Sequence, residues 1–263
     1  MHIPEISQLT DSYDHVYLSP HLDDAVLSCG GAIARHTSQG ARVLVVTLCT
    51  ATPPAAGPFS DFAAAMHGRW NLSPEQVVSA RLHEDLLALE RIGSDSYWAN
   101  MPDAIYRMPD SYTSNATLLG LPVASDPQRQ RLMSLFDELH ARLPRATFYV
   151  PLAIGGHVDH RLVYEATLAG GWGHSSAYYE DIPYVLARQA LERRMQELQR
   201  EFVPSIIDID AHLNRKLGAI ACYGSQLHEL FEGEEQMRAR VTAYHETLRP
   251  ETGTYGERVW VMV

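Results

Sequence analysis

Short apolar runs alternate with longer amphipathic stretches along the chain, and this alternation predicts strands and helices in turn. Residues 15–20, "HVYLSP", predict a first strand. Over 24–39 the positions Val26, Cys29, Gly30 and Ile33 share one helical face, and Gly40 stops the helix. The run 42–50, "RVLVVTLCT", is apolar without alternation, as in a parallel strand buried on both faces. Residues 51–71 then lose periodicity and gather Pro53, Pro54, Gly57, Pro58 and Gly68 with Phe59, Phe62 and Trp70, a loop long enough to carry function. Ser73 as N-cap, Pro74 at the first helical position and Gln76 completing a capping box predict a helix to 92, closed by Gly93. A third strand follows over 95–100, a second irregular stretch over 101–127, and a helix over 128–142. "ATFYVP", 146–151, predicts a fourth strand, with loop and helix over 152–170. Beyond it the pattern predicts a strand in "SAYYEDIPY", a charged helix over 185–201, a short strand in "SIIDID", a helix over 212–231 and a late strand in "RVWVMV". The strand–helix rhythm predicts an α/β fold with a doubly wound sheet. Without a repeat, low-complexity tract or linker to divide it, the chain reads as a single domain over 1–263.

Composition narrows the function classes. A chain of 263 residues with 46% hydrophobic and 20% charged positions is an ordinary globular sequence. Its formal net charge of −11, with Lys216 the only lysine, argues against a nucleic-acid partner. The opening segment has no basic and apolar leader pattern, and no run of about 18 apolar residues predicts a membrane span. Cys29, Cys49 and Cys222 are odd in number and widely spaced, which gives no disulfide framework. Together these features predict a setting in the reducing cytoplasm.

In open α/β sheets, sites gather where strands end and helices begin. Two predicted strand ends carry His with Asp: "PHLDD" after the first strand and "GGHVDH" after the fourth. His21 and Asp24 are three apart, as are His157 and His160, with Asp159 beside the second pair. Taken singly, Asp23 and Asp24 read as helix caps and "HVDH" as a solvated helix start. Their occurrence at two corresponding strand ends points instead to one metal site with an open position, and two histidines suit zinc better than magnesium. The residues argue against a dinucleotide site: the glycines of "CGG" lie inside the helix, with no G-x-G-x-x-G and no Walker-type lysine.

These residues resemble the PIG-L/LmbE-like N-acetylglucosaminyl deacetylases, whose two signatures read roughly P-H-P-D-D-E and H-x-D-H. Here the first is Pro20, His21, Leu22, Asp23, Asp24, Ala25 and the second His157, Val158, Asp159, His160. "ARLHEDLLALERIG" is similar to the family's R-x-x-E helix, and "LNRKLGAIACYGSQ" to its late helix with a Ser-Gln ending. The resemblance implies a Rossmann-like three-layer fold with a mostly parallel sheet, and one zinc ion held by His21, Asp24 and His160. It implies that Asp23 is the general base for water attacking an amide carbonyl. His157 would steady the oxyanion and protonate the leaving nitrogen, Asp159 would keep His157 cationic, and Arg81 would bind substrate. Leu22 and Ala25 depart from the family's proline and glutamate, which leaves the chemistry in place and bears on substrate choice. The implied substrate is a small N-acetylglucosamine-containing molecule or glycoconjugate. A zinc hydrolase acting on another amide or ester stays open, as does a non-catalytic sugar-binding relative, although Asp23 and His157 are both present. Arg81 would suit a substrate with an added carboxylate; the aromatics Phe59, Phe62, Trp70, Tyr106 and Tyr112 either stack on a sugar or pack the loops.

Overall fold

The computed structural model describes residues 1–53, 57, 59–70, 74–108 and 110–263, with side chains at all of these except 67–70 and 74–77. In chain order the elements are β1 (His2–Ile3), β2 (His15–Ser19), α1 (Asp24–Ser38), β3 (Val43–Thr47), α2 (Asp61–Trp70), α3 (Pro74–Ile92), β4 (Asp95–Trp98), α4 (Ala104–Arg107) and α5 (Asn115–Leu118). They continue with α6 (Gln128–Arg142), β5 (Thr147–Pro151), α7 (Val158–Ala169), β6 (Ser176–Tyr179), α8 (Ala190–Leu198), β7 (Phe202–Asp208), α9 (Leu213–Ile220), α10 (Gly224–Phe231), α11 (Glu234–Thr247) and β8 (Gly256–Met262).

The strands form one sheet in the order β1-β4-β3-β2-β5-β6-β8-β7, parallel from β1 to β6, with β8 antiparallel to both β6 and β7. From β2 the chain moves one way to β3; from β5 it moves the other way to β6. Right-handed crossovers therefore put α1 and α7 on opposite faces of the sheet. Helices α1, α3 and α9 pack together, and α6 packs on α7, which completes the three layers. Every residue of β3 is buried, as its unbroken apolar run predicts. The outermost strand, β7, is an edge with its middle residues exposed, and Pro204 sits there, where a missing N–H is tolerated.

The glycines of "CGG" serve packing. A Cβ on Gly31 would fall 2.8 Å from Glu257 Oε1 and 2.9 Å from Ile209, and one on Gly30 would fall 3.1 Å from Lys216 Cγ. Into this space goes a buried ion pair: Lys216 Nζ donates to Glu257 Oε1 at 2.6 Å and to the Ser28 carbonyl at 3.1 Å. Glu257 in turn accepts the N–H groups of Gly31 (2.9 Å) and Ala32 (2.7 Å). The only lysine of the chain is thus 0% exposed and pins the last strand to the first helix.

Several expectations are corrected. The stretch 51–71 is not wholly irregular, since it holds α2. The helix expected over 212–231 breaks into α9 and α10 around Ala221–Tyr223, where the Tyr223 hydroxyl turns inward to Asp85. The helix expected over 185–201 shortens to α8, and α11 and β1 were not foreseen. The cap expected at Ser73 and the side chain of Gln76 lie outside the described residues.

Replacing Lys216 with Met strands the Glu257 carboxylate in the core. Breaking a buried pair in this way costs about 3–5 kcal/mol, and urea denaturation of Lys216→Met is expected to show a loss of that size with an unchanged m-value.

Candidate active site

The order of the sheet reverses between β2 and β5, and both histidine-bearing turns leave these two adjacent strands at their carboxyl ends. After β2, Ser19 Oγ accepts the N–H of Ala25 at 3.0 Å and donates to the His21 carbonyl at 2.7 Å. Ser19 thereby meets a free N–H of the first turn of α1, so capping does not account for the aspartates. Asp23 makes no side-chain cap bond, and its backbone takes φ 147°, a conformation costly for any residue but glycine. Asp24 Oδ2 accepts the His21 backbone N–H at 2.8 Å.

Asp24 Oδ2 also lies 3.2 Å from His21 Nδ1 and 3.2 Å from His160 Nε2. Each ring meets a buried carboxylate through its other nitrogen: His21 Nε2 with Asp159 Oδ2 at 3.0 Å, and His160 Nδ1 with Asp181 Oδ1 at 2.7 Å. His160 Nε2 is buried without a hydrogen-bond partner. A bare ring nitrogen facing a carboxylate oxygen is an arrangement that calls for a cation, and rings anchored from behind by carboxylates are the usual support of a metal ligand. Burial opposes charge on both rings, yet Asp159 and Asp24 raise the pKa of His21 well above its usual value. Asp24 and Asp181 likewise raise His160 to about 9. His21, Asp24 and His160 therefore fit a metal ion.

Two further groupings surround this centre. Ring nitrogens of His21, His157 and His160 lie within 4.8 Å of one another, and so do ligand atoms of His21, Cys49 and Asp159. The second is the poorer metal site, because burial pushes the Cys49 thiol up to about 12 and Asp159 is already engaged. Asp159 Oδ1 accepts from Arg107 Nη1 at 2.5 Å, and its Oδ2 accepts the Ala104 N–H at 3.2 Å.

His157 is the N-cap of α7, its Nδ1 accepting the Asp159 backbone N–H at 3.2 Å. The Asp159 carboxylate, expected to hold His157 cationic, is 4.0 Å from Nδ1 and turned to Arg107 and His21. Burial and then His21 press the pKa of His157 well below the usual histidine value.

Arg81 Nη2 reaches the Leu22 carbonyl at 3.3 Å and Asp23 Oδ2 at 3.5 Å. The acidic residues one helical turn on are engaged elsewhere: Glu84 binds the N–H and hydroxyl of Ser225, and Asp85 accepts from Trp98 Nε1 and the Tyr223 hydroxyl at 2.9 Å each. The "ARLHEDLLALERIG" and "YGSQ" segments are thus joined directly. Burial lifts Asp23 to about 7, against the opposing charge of Arg81.

His21, Asp23, Asp24, Arg81 and His157 line one cleft of about 260 Å³. Met66 comes from the first irregular stretch, and Asp103, Ile105, Asn115, Leu118 and Leu119 from the second; Tyr184 and Gln226 face them. Phe59, Phe62, Tyr106 and Tyr112 belong to a small apolar cluster beneath this roof with Ala63, Ile105 and Val158, so these aromatics pack the loops. The side chain of Trp70 lies outside the described residues. Asp181, Arg107 and Asp103 were not singled out from the sequence. Asp181 alone carried a signal, as an acidic residue just past a third strand end on the same sheet edge.

A carboxylate and imidazoles lining one cleft, beside three residues that fit a cation and at a topological switch point, are the parts a hydrolase needs. Residues 16–170 match the family described as GlcNAc-PI de-N-acetylase (PIG-L). The chain is 30% identical over 230 residues to a 2'-N-acetylparomamine deacetylase of Streptomyces fradiae, covering 85% of this chain and 77% of that one. It is also 30% identical over 193 residues to a 2'-N-acetylparomamine deacetylase of Niallia circulans, covering 66% and 68%. Among solved structures, the zinc-inhibited form of teicoplanin deacetylase Orf2 superposes with a TM-score of 0.78 at 26% identity, over 95% of this chain and 98% of that one. The chain belongs to the PIG-L family and is an N-deacetylase, a hydrolase of the amide bond.

Asp85 offers a check on the buried charges behind the cleft. Burial raises it from 3.8 to about 6, with Trp98 and Tyr223 opposing the shift. A carboxyl raised on folding is protonated in the folded state while ionised in the unfolded one, so stability falls as pH climbs from 3.8 to about 6. The total is about 3 kcal/mol. Asp85→Asn removes this slope. Urea denaturation at acid and neutral pH is expected to show the variant gaining that amount on wild type as pH rises, and a constant difference would mean that Asp85 ionises normally.

Proposed function

We propose that the protein is a zinc-dependent N-deacetylase that removes an acetyl group from an N-acetylglucosamine-type ring in a small glycoside. The observation that carries this reading is the convergence of His21, Asp24 and His160 on one cation site, with Asp23 and His157 lining the same cleft. A zinc ion held by His21, Asp24 and His160 would supply Lewis acidity, which polarises an amide and makes an attacking water more acidic.

The remaining work falls to the protein's own groups. Asp23 takes the proton of the attacking water; the strained turn that points it into the cleft, with Arg81 Nη2 at 3.5 Å, fixes its carboxylate. His157 accepts a backbone N–H at Nδ1, so its neutral ring carries the proton on Nε2. That Nε2–H steadies the developing oxyanion, while the proton that Asp23 takes from the water passes on to the leaving nitrogen, which would otherwise be too basic to depart. Asp159 orients both imidazoles, His157 through its N–H and His21 through its carboxylate.

For the substrate, the paromamine and teicoplanin relatives support an amino sugar within an antibiotic-type glycoside over a free sugar. Arg81 lines the cleft beside Asp23, so a substrate with an added carboxylate stays within this reading and belongs in the panel. Three free thiols support a cytoplasmic setting.

The test is acetate release from a panel of N-acetylated amino sugars, aminoglycoside precursors and glycopeptide precursors. Chelation is expected to abolish turnover and zinc to restore it. Asp23→Asn is expected to bind zinc as wild type does while losing about 10²–10⁴-fold in kcat, the usual contribution of a general base. Turnover that survives complete metal removal, or a fully active Asp23→Asn, would refute the mechanism. A zinc-loaded enzyme inert toward every N-acetyl substrate would refute the substrate class.

A further inference from the structure

We infer that Arg107 is a positioning residue for the metal centre, holding the His21 ring in its ligating orientation through Asp159. The inference rests on the metal-hydrolase reading of the site. Arg107 ends α4, in the irregular stretch over the cleft, yet its side chain is 2% exposed, as is that of Asp159; Asp126 is at 0%. Its guanidinium spans two carboxylates. Nε meets Asp126 Oδ1 and Oδ2 at 2.9 and 3.0 Å, and Nη2 meets Oδ2 at 2.8 Å. Nη1 donates to Asp159 Oδ1 at 2.5 Å and to the Pro102 carbonyl at 3.3 Å. The far oxygen of Asp159 is the one 3.0 Å from His21 Nε2.

This chain of contacts has a direction. Asp126 is fixed independently, by the Tyr112 hydroxyl at 2.7 Å and the Gln128 N–H at 2.9 Å, and so anchors the guanidinium. The guanidinium fixes one oxygen of Asp159, which leaves the other aimed at His21. With Nε2–H donated to Asp159, the neutral His21 ring presents Nδ1, the nitrogen 3.2 Å from Asp24 Oδ2, as its lone-pair donor. Only a planar fork can hold two buried carboxylates in this way; a lysine ammonium cannot match it. Without Arg107, Asp159 Oδ1 loses its donor and the carboxylate is free to turn its other oxygen away from His21. Because Asp103 and Ile105 of the same segment line the cleft, one side chain sets the register of both the roof and the ligand.

A staple that merely held the roof would alter stability and leave metal affinity alone. The measurement is the zinc affinity of chelator-stripped enzyme, by competition with a chromophoric chelator, for wild type, Arg107→Met, Asp159→Asn and the double variant. Arg107→Met is expected to weaken zinc binding about 10–100-fold, the usual cost of losing support behind a ligand. In the Asp159→Asn background it is expected to change affinity by less than about 2-fold, since residues acting through one another do not add. Should Arg107→Met fail to fold, Arg107→Lys, which keeps the charge and loses the fork, is read in the same cycle. Wild-type zinc affinity in the Arg107 variant, however far its melting temperature falls, would overturn the inference, as would losses that multiply. A wild type that takes up no zinc would be a separate result, removing the metal reading and this inference with it.

Discussion

The parallel pairing of β2 with β5, with Val16 opposite Phe148 and Tyr17 opposite Tyr149, is the contact on which the active site depends. Hydrogen-bonded strands lie about 4.8 Å apart, so two turns that leave neighbouring strands at the same end must meet. One turn carries His21, Asp23 and Asp24, the other His157, Asp159 and His160, and neither holds enough ligands alone. The order reversal at this pair sends α1 and α7 to opposite faces and opens the crevice between them. The third strand of the group, β6, delivers Asp181 behind His160. Ser28 of α1 accepts the Ile182 N–H at 3.1 Å and fixes that turn against the first helix.

Charge is balanced locally throughout the centre. Asp159 faces Arg107 and His21, Asp24 faces His21 and His160, Asp181 faces His160, and Asp23 faces Arg81. Such groupings are costly to bury unless each carboxylate finds a donor, and they fix geometry more than they stabilise the fold. The Lys216–Glu257 pair plays the matching part midway along α1, where Gly30 and Gly31 leave it room. The first helix is therefore held at its start by the cleft and along its length by the last strand, so the turn carrying Asp23 has little freedom to relax its unfavourable backbone angle.

Much of this was legible in the sequence. The helix over 128–142 falls where its apolar spacing puts it, and the unbroken run of β3 marks a doubly covered strand. The two motifs mark themselves because each is local: three residues set the spacing of His21 to Asp24, and three that of His157 to His160. Features built from distant partners left no such trace. Arg107 sits in a segment without periodicity, and its partners lie 19 and 52 positions away. Asp181 acquires meaning only once β6 lies beside β5. The break between α9 and α10 is invisible to helical periodicity, since it follows from Tyr223 turning toward a buried carboxyl on another helix. The reading of Asp159 as the partner of His157 was natural for residues two apart, yet the geometry joins them through the backbone while the carboxylate serves His21.

The central claim is that a metal binds between His21, Asp24 and His160, and zinc-edge X-ray absorption on the zinc-loaded enzyme tests it most directly. The account predicts a shell of nitrogen and oxygen alone at about 2.0–2.1 Å, with the outer scattering of two imidazoles. A sulfur scatterer at about 2.3 Å would mean that zinc sits instead with Cys49, His21 and Asp159, and would contradict it.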